Sequence, residues 1–206
     1  MGGTARALPG EISMAHGGVL FLDELSEFPH TVLNQLRQPL ETGHIRVNRA
    51  QCQHLYPAQF QLVAAMNPCP CGLAGDPDCR CRCTLDRIRR YRQGISGPLM
   101  DRIDLHITLQ RPSPEFLLIK SSTNATYSRD LKRRVGLLQN RQRERQGCLN
   151  RELAGDDLLK ACQLKSNTER WLINAAATLN LSARSTHRRL RVARTLADMA
   201  ESQVVT

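Results

Sequence analysis

The sequence predicts an α/β domain followed by an all-helical domain. Two short apolar runs, at 19–22 and 60–66, stop at polar residues, as buried parallel strands do. Segments with apolar residues at helical spacing lie between and after them. From Ser128 onward every readable segment has the helical period and no strand signal appears. The expected division is an α/β part at 1–111, a linker at 112–127 and a helical part at 128–206.

In chain order, 2–10 reads as loop and 11–16 as one helical turn. Val19 to Leu22 is expected to be a strand buried on both faces. Residues 29–40 fit one helix, with Val32, Leu33, Leu36 and Leu40 in helical register and Pro29 suited to the first turn. Thr42-Gly43 ends it. Residues 45–49 and 53–56 read as a hairpin, and 60–66 as a second buried strand running into Asn67-Pro68. The stretch 69–83 is a loop without an apolar core of its own. A basic helix at 85–92, a turn at 94–98, a short helix carrying Arg102 and a third strand at 105–109 complete the first part. Helices are expected at 128–146, 155–163, 167–178 and 182–202. In the last, Leu190, Ala193, Ala197 and Ala200 form an apolar stripe, and Arg188, Arg189 and Arg191 point partly outward.

At 206 residues and 41% hydrophobic, the chain has the size and composition of a water-soluble globular protein, and no apolar run approaches a membrane span. The first ten residues lack the pattern of a secretory leader, so the cytosol is expected. The net charge of +10 is uneven. Arg80, Arg82, Arg87, Arg89, Arg90 and Arg92 face only Asp86 within 80–92, and 128–206 carries 16 basic against 8 acidic residues. Arginine forks onto phosphate, so a polyanion such as DNA is a candidate partner; solvated helix faces are the plainer reading. Of eight cysteines, five fall within 69–83, and in a reducing compartment clustering favours metal over disulfides.

Three constellations carry chemistry. Asp23 and Glu24 end the first strand, where a cation or a polarised water offsets the cost of placing adjacent carboxylates. In a phosphate-hydrolysing site the first acid holds Mg²⁺ and the second activates water; the alternative is two solvated acids. Asn67 ends the second strand, where an amide can orient that water; the alternative is an ordinary Asn-Pro turn. Arg102, among Asp101, Ile103 and Asp104, is placed to offset phosphate charge or to pair with a neighbouring acid. Separately, Cys69, Cys71, Cys81 and Cys83 make two Cys-x-Cys pairs that suit a closed tetrahedral Zn²⁺ site, or else remain free thiols. Cys79 is an extra thiol beside them, and Cys52, Cys148 and Cys162 suit packed positions. Arg87, Arg89, Arg90 and Arg92, with Tyr91, form the best local nucleic-acid candidate, against a plain solvated helix face. His187 reads as a packed or surface histidine rather than a ligand.

Several stretches taken together resemble the AAA+ ATPases of the magnesium-chelatase type, most closely their ComM (YifB) branch. They are Pro-Gly-Glu-Ile-Ser-Met-Ala-His (9–16), Gly-Val-Leu-Phe-Leu-Asp-Glu-Leu (18–25), Leu-Arg-Gln-Pro-Leu-Glu (36–41) and Val-Ala-Ala-Met-Asn-Pro-Cys-Pro-Cys-Gly (63–72). Ile-Ser-Gly-Pro-Leu-Met-Asp-Arg-Ile-Asp-Leu (95–105), Leu-Ser-Ala-Arg (181–184) and Val-Ala-Arg-Thr-Leu-Ala-Asp (192–198) continue the series. The resemblance implies an AAA+ P-loop core followed by a helical lid. It implies that Asp23 and Glu24 are the Walker B pair, Asn67 sensor 1, Arg102 the arginine finger offered to a neighbouring subunit, and Arg184 the sensor-2 arginine. It further implies ATP and Mg²⁺ as ligands, a homo-oligomeric ring, commonly a hexamer, and ATP-driven branch migration of DNA in natural transformation.

One departure limits this. The family places a Gly-x-x-x-x-Gly-Lys-[Ser/Thr] loop ahead of this region, and the four lysines here, Lys120, Lys132, Lys160 and Lys165, none follow a glycine. The chain is therefore expected to be the C-terminal portion of such a protein, lacking Walker A and inactive alone. The alternative is a non-catalytic remnant that binds DNA or joins intact homologues. A zinc-stapled DNA-binding protein with no motor role would not need Asp23, Glu24, Asn67 and Arg102 in this order.

Overall fold

A computed structural model describes residues 8–49, 52–75, 81–109 and 125–206. The chain divides into two compact units, 1–111 and 112–206.

In the first unit, α1 (Glu11–Met14) leads into β1 (Val19–Leu22), and a 3₁₀ turn (Leu25–Glu27) follows the acidic pair. The single helix expected at 29–40 is two: α2 (His30–Gln35) and α3 (Arg37–Thr42). Pro39 is the cause, because it has no N–H to give Gln35 and its ring crowds that carbonyl. Gly43, at φ +71, caps α3 in the left-handed conformation that glycine adopts without strain. The hairpin forms as expected, β2 (His44–Arg49) antiparallel to β3 (Cys52–Pro57), with Ile45 opposite Tyr56. Next comes β4 (Gln61–Ala64), which pairs parallel with β1 in the register Val19–Gln61 to Leu22–Ala64. After the cysteine loop come α4 (Leu85–Gln93) and α5 (Gly97–Met100).

The core of this unit joins Ile12, Leu25, Leu33, Leu36, Ile45, Ala58, Ile95 and Leu99, with Leu20 and Leu22 packed against it. Alternation along β1 puts Leu20 and Leu22 on that side and Val19 and Phe21 on the other. Burial of β1 on both faces is therefore wrong: Val19 is 61% and Phe21 59% exposed, and Val63 beside them is also exposed. Among the described residues of this unit, no element covers that face. The third strand expected at 105–109 is absent too. These residues carry no ladder, and Leu105, Ile107 and Leu109 are 65, 79 and 87% exposed. Alternating apolar residues make a strand only where a neighbour accepts their backbone bonds.

The second unit is helical, with α6 (Ala125–Gln146), a 3₁₀ turn (Asn150–Glu152), α7 (Gly155–Cys162), α8 (Ser166–Thr178) and α9 (Ala183–Met199). Ser182 caps α9, its Oγ accepting from the Ser185 N–H at 3.1 Å. Leu153, Leu158, Cys162, Leu190, Ala197 and Val205 form the core, with Cys148 and Ala193 against it. Ala200, expected in the α9 stripe, lies past the helix end and is exposed. His187 is half-buried on α9. Cys79 and residues 112–124 of the expected linker lie outside the described residues, as does the side chain of Cys52.

Candidate functional site

Backbone bonds continue the β1–β4 ladder past the strands and place the acidic pair. Ala65 donates to the Leu22 carbonyl and accepts from the Leu25 N–H, both at 2.9 Å. Asp23 and Glu24 are the two residues bracketed by those bonds, and Asn67 lies two residues beyond the bracketing Ala65. All three side chains are exposed. Glu24 sits in the left-handed region at φ 50, ψ 48, and its N–H donates to Asp23 Oδ1 at 2.9 Å. A glutamate held at positive φ costs of order 1 kcal/mol, and such strain collects at functional sites. Two acids and an amide thus crown the carboxyl ends of neighbouring parallel strands, where α/β sheets place their ligands.

Arg102 lies in the turn after α5 rather than within a helix. Its guanidinium pairs with Glu41 at the end of α3 and donates to the Pro98 carbonyl. Its Nε is buried without a partner among the described residues. The Glu41 pairing spans sixty-one positions and could not be read from local sequence. Arg184 occupies the first turn of α9, exposed, in the other unit.

The four cysteines come together. The sulfurs of Cys69, Cys71, Cys81 and Cys83 all lie within 4.8 Å of one another. Cys69–Cys71 is 3.3 Å, Cys71–Cys81 3.6 Å and Cys69–Cys81 3.7 Å. A tetrahedral Zn²⁺ with bonds of about 2.3 Å sets its sulfurs about 3.8 Å apart, so the set has the spacing of a closed site. The thiols do not behave alike. Burial pushes Cys69 up, but hydrogen bonds, among them those from the backbone of Cys71 and Ala74, bring it below its ordinary value. The Leu73 backbone, then the Cys69 and Cys83 thiols, hold Cys71 down to about 6. A backbone bond at Cys83 lowers Cys81, yet burial and the neighbouring sulfurs drive it up to about 11. Contact with Cys71 and burial raise Cys83. Four sulfurs this close cannot all ionise unless a cation shares them.

Of the basic helix, Arg87, Arg89 and Arg90 are exposed, with Arg89 4.0 Å from Asp86. Arg92 is exposed as well, but its Nε donates to the Pro68 carbonyl at 3.1 Å. Sequence reasoning also missed a buried network in the second unit. Arg194 and Asp198, 0 and 1% exposed, pair at 2.8 Å. Arg145 pairs with the same carboxylate, and Asn150 Nδ2 donates to it at 2.8 Å. Burial would raise the Asp198 carboxyl, but hydrogen bonds from Arg145, Asn150 and Arg194 leave it below the usual range. The available signal was an Arg and an Asp four residues apart beside the buried Leu190 and Ala197.

A parallel strand pair crowned by acids and an amide, in a chain that continues into a separate helical unit, defines a mixed α/β core with a helical lid of the AAA+ kind. The chain belongs to the magnesium chelatase subunit ChlI family. Residues 1–117 match the model of magnesium chelatase, subunit ChlI, and residues 125–206 that of the subunit ChlI C-terminal region. It is 43% identical to the uncharacterized protein YifB of Escherichia coli K12 over its whole length. Competence protein ComM of Haemophilus influenzae is 40% identical, again over the whole chain, and an uncharacterized protein of Mycobacterium tuberculosis H37Rv 39% over 97% of it. The chain spans about 40% of the length of these relatives. Among the described residues, no helix is long and apolar enough to cross a membrane.

Proposed function

We propose that the first unit supplies the acidic, amide and arginine parts of an ATP site within a ring-forming motor, commonly hexameric, that acts on DNA. The observation that carries this reading is the bracketing of Asp23 and Glu24 by backbone bonds to Ala65, two residues before Asn67, at the carboxyl ends of the paired strands. In this reading Asp23 holds Mg²⁺, which when bound neutralises phosphate charge. Glu24 accepts the proton of the attacking water and Asn67 orients that water. Arg102 exchanges Glu41 for the nucleotide of a neighbouring subunit, and Arg184 contacts nucleotide from the lid. The exposed Arg87, Arg89, Arg90 and Arg92 grip DNA phosphates. One relative's name, competence protein, favours DNA as the substrate. Cys69, Cys71, Cys81 and Cys83 hold a structural Zn²⁺. The compartment expected for this work is the cytosol.

The 206 residues contain no Gly-x-x-x-x-Gly-Lys-[Ser/Thr] loop, so they are expected to show no ATP turnover by themselves. Joined to the preceding region of the Escherichia coli relative, the chain should hydrolyse ATP, and Glu24→Gln should slow it by about 100-fold or more. A chimaera whose turnover ignores Glu24→Gln would overturn the assignment.

A further inference from the structure

The cysteine loop is tied to the strand-end site at both of its roots. Asn67 and Pro68 immediately precede Cys69, and Thr84, the N-cap of α4, immediately follows Cys83. Thr84 Oγ accepts from the Arg87 N–H at 3.3 Å, so the helix starts where the ligands end. One helix length later the chain returns, and Arg92 Nε donates to the Pro68 carbonyl at 3.1 Å. The loop also folds back on Asn67. Gly72 turns the chain at φ +76, and a Cβ placed on it would lie 3.9 Å from Asn67 Oδ1.

Among the described residues α4 is held by little burial, with Ile88 and Tyr91 half-buried and the rest of the helix exposed. It contains no fully buried residue, and Leu85 is exposed. A helix with so little apolar contact depends on its ends. Its far end abuts the turn after the acidic pair, where a Cβ placed on Gly94 would lie 3.6 Å from the Ser26 carbonyl. The thiol cluster and the Arg92–Pro68 bond therefore form two clamps on one corner, with Asn67 at its edge.

We propose that a metal ion held by Cys69, Cys71, Cys81 and Cys83 is a positioning device that fixes the Asn67–Pro68 corner and docks α4 onto it through Arg92. The inference rests on the zinc reading above and gives the metal a task. Arg92, exposed like Arg87, Arg89 and Arg90, is then a positioning residue through its bond to Pro68.

The test is hydrogen exchange on the full chain, with one equivalent of Zn²⁺ and with chelator, beside elemental analysis of bound zinc. Zinc should bind one to one. It should slow exchange by about tenfold or more at 65–67 and 85–93, leaving the 44–57 hairpin and α9 unchanged. Arg92→Ala should keep stoichiometric zinc yet lose the slowing at 85–93, and Arg92→Lys, which retains a donor for Pro68, should restore most of it. Bound zinc with slowing confined to 69–83, even slowing across the first unit, or a normal response in Arg92→Ala would overturn the positioning role alone. Absence of bound zinc would overturn both the role and the zinc reading.

Discussion

Arg102 and Arg194 carry the same guanidinium into different settings. Arg102 meets one carboxylate and one carbonyl at the edge of the first unit, and its Nε finds no partner among the described residues. Arg194 is wholly buried, paired with Asp198, and donates to the carbonyls of Ala161, Ser202 and Gln203. The contrast extends to the units. The first sets Asp23, Glu24 and Asn67 in the open and leaves Val19 and Phe21 uncovered. The second spends its strongest charges on holding itself together. Charge that is fully satisfied inside a domain serves the fold, whereas charge left at strand ends remains available for chemistry.

The largest effect that would break this comparison is at Asp198. Asp198→Ala strands two arginines against an apolar core and should cost the second unit roughly 3–5 kcal/mol. Loss of α6–α9 helicity at a lower temperature, followed by circular dichroism, would measure it. Retention of wild-type stability would mean that the network contributes nothing. The same carboxylate predicts an acid limit. Its folded value lies below its unfolded value, so its contribution is complete above about pH 4 and is lost as pH falls through the folded value. Denaturation midpoints of the second unit should fall below about pH 4, and less so in Asp198→Asn.

Smaller effects sharpen the contrast. Ser182→Ala removes the cap of α9 and should cost about 1 kcal/mol in a urea titration. Glu24→Gln should change the stability of the first unit by less than about 0.5 kcal/mol, because the side chain is exposed. A large loss in Glu24→Gln would show that the strand-end acid serves the fold after all.

Much of this was legible in sequence, for identifiable reasons. The hairpin and the helices of the second unit follow local periodicity, and local periodicity survives folding. Asp23, Asn67 and the four cysteines were legible as groups because chain breaks and spacing mark them. What failed was tertiary. Residues 105–109 alternate like a strand but pair with no strand among the described residues, and Val19 and Phe21 look like core but face outward. Pro39 was in plain view, yet the apolar repeat through Leu36 and Leu40 masked the break it forces. Glu41 and the Asp198 network required knowing which distant elements meet.

The reach of Arg194 also moves a domain boundary. Secondary structure alone would end the second unit at Met199. The guanidinium instead clasps the carbonyls of Ser202 and Gln203, the Val205 N–H donates to Cys162 at 2.9 Å, and Val205 is buried in the core. A truncation for crystallisation should therefore keep residues through 205, and a purification tag fused at this end needs a spacer before it clears the packed surface.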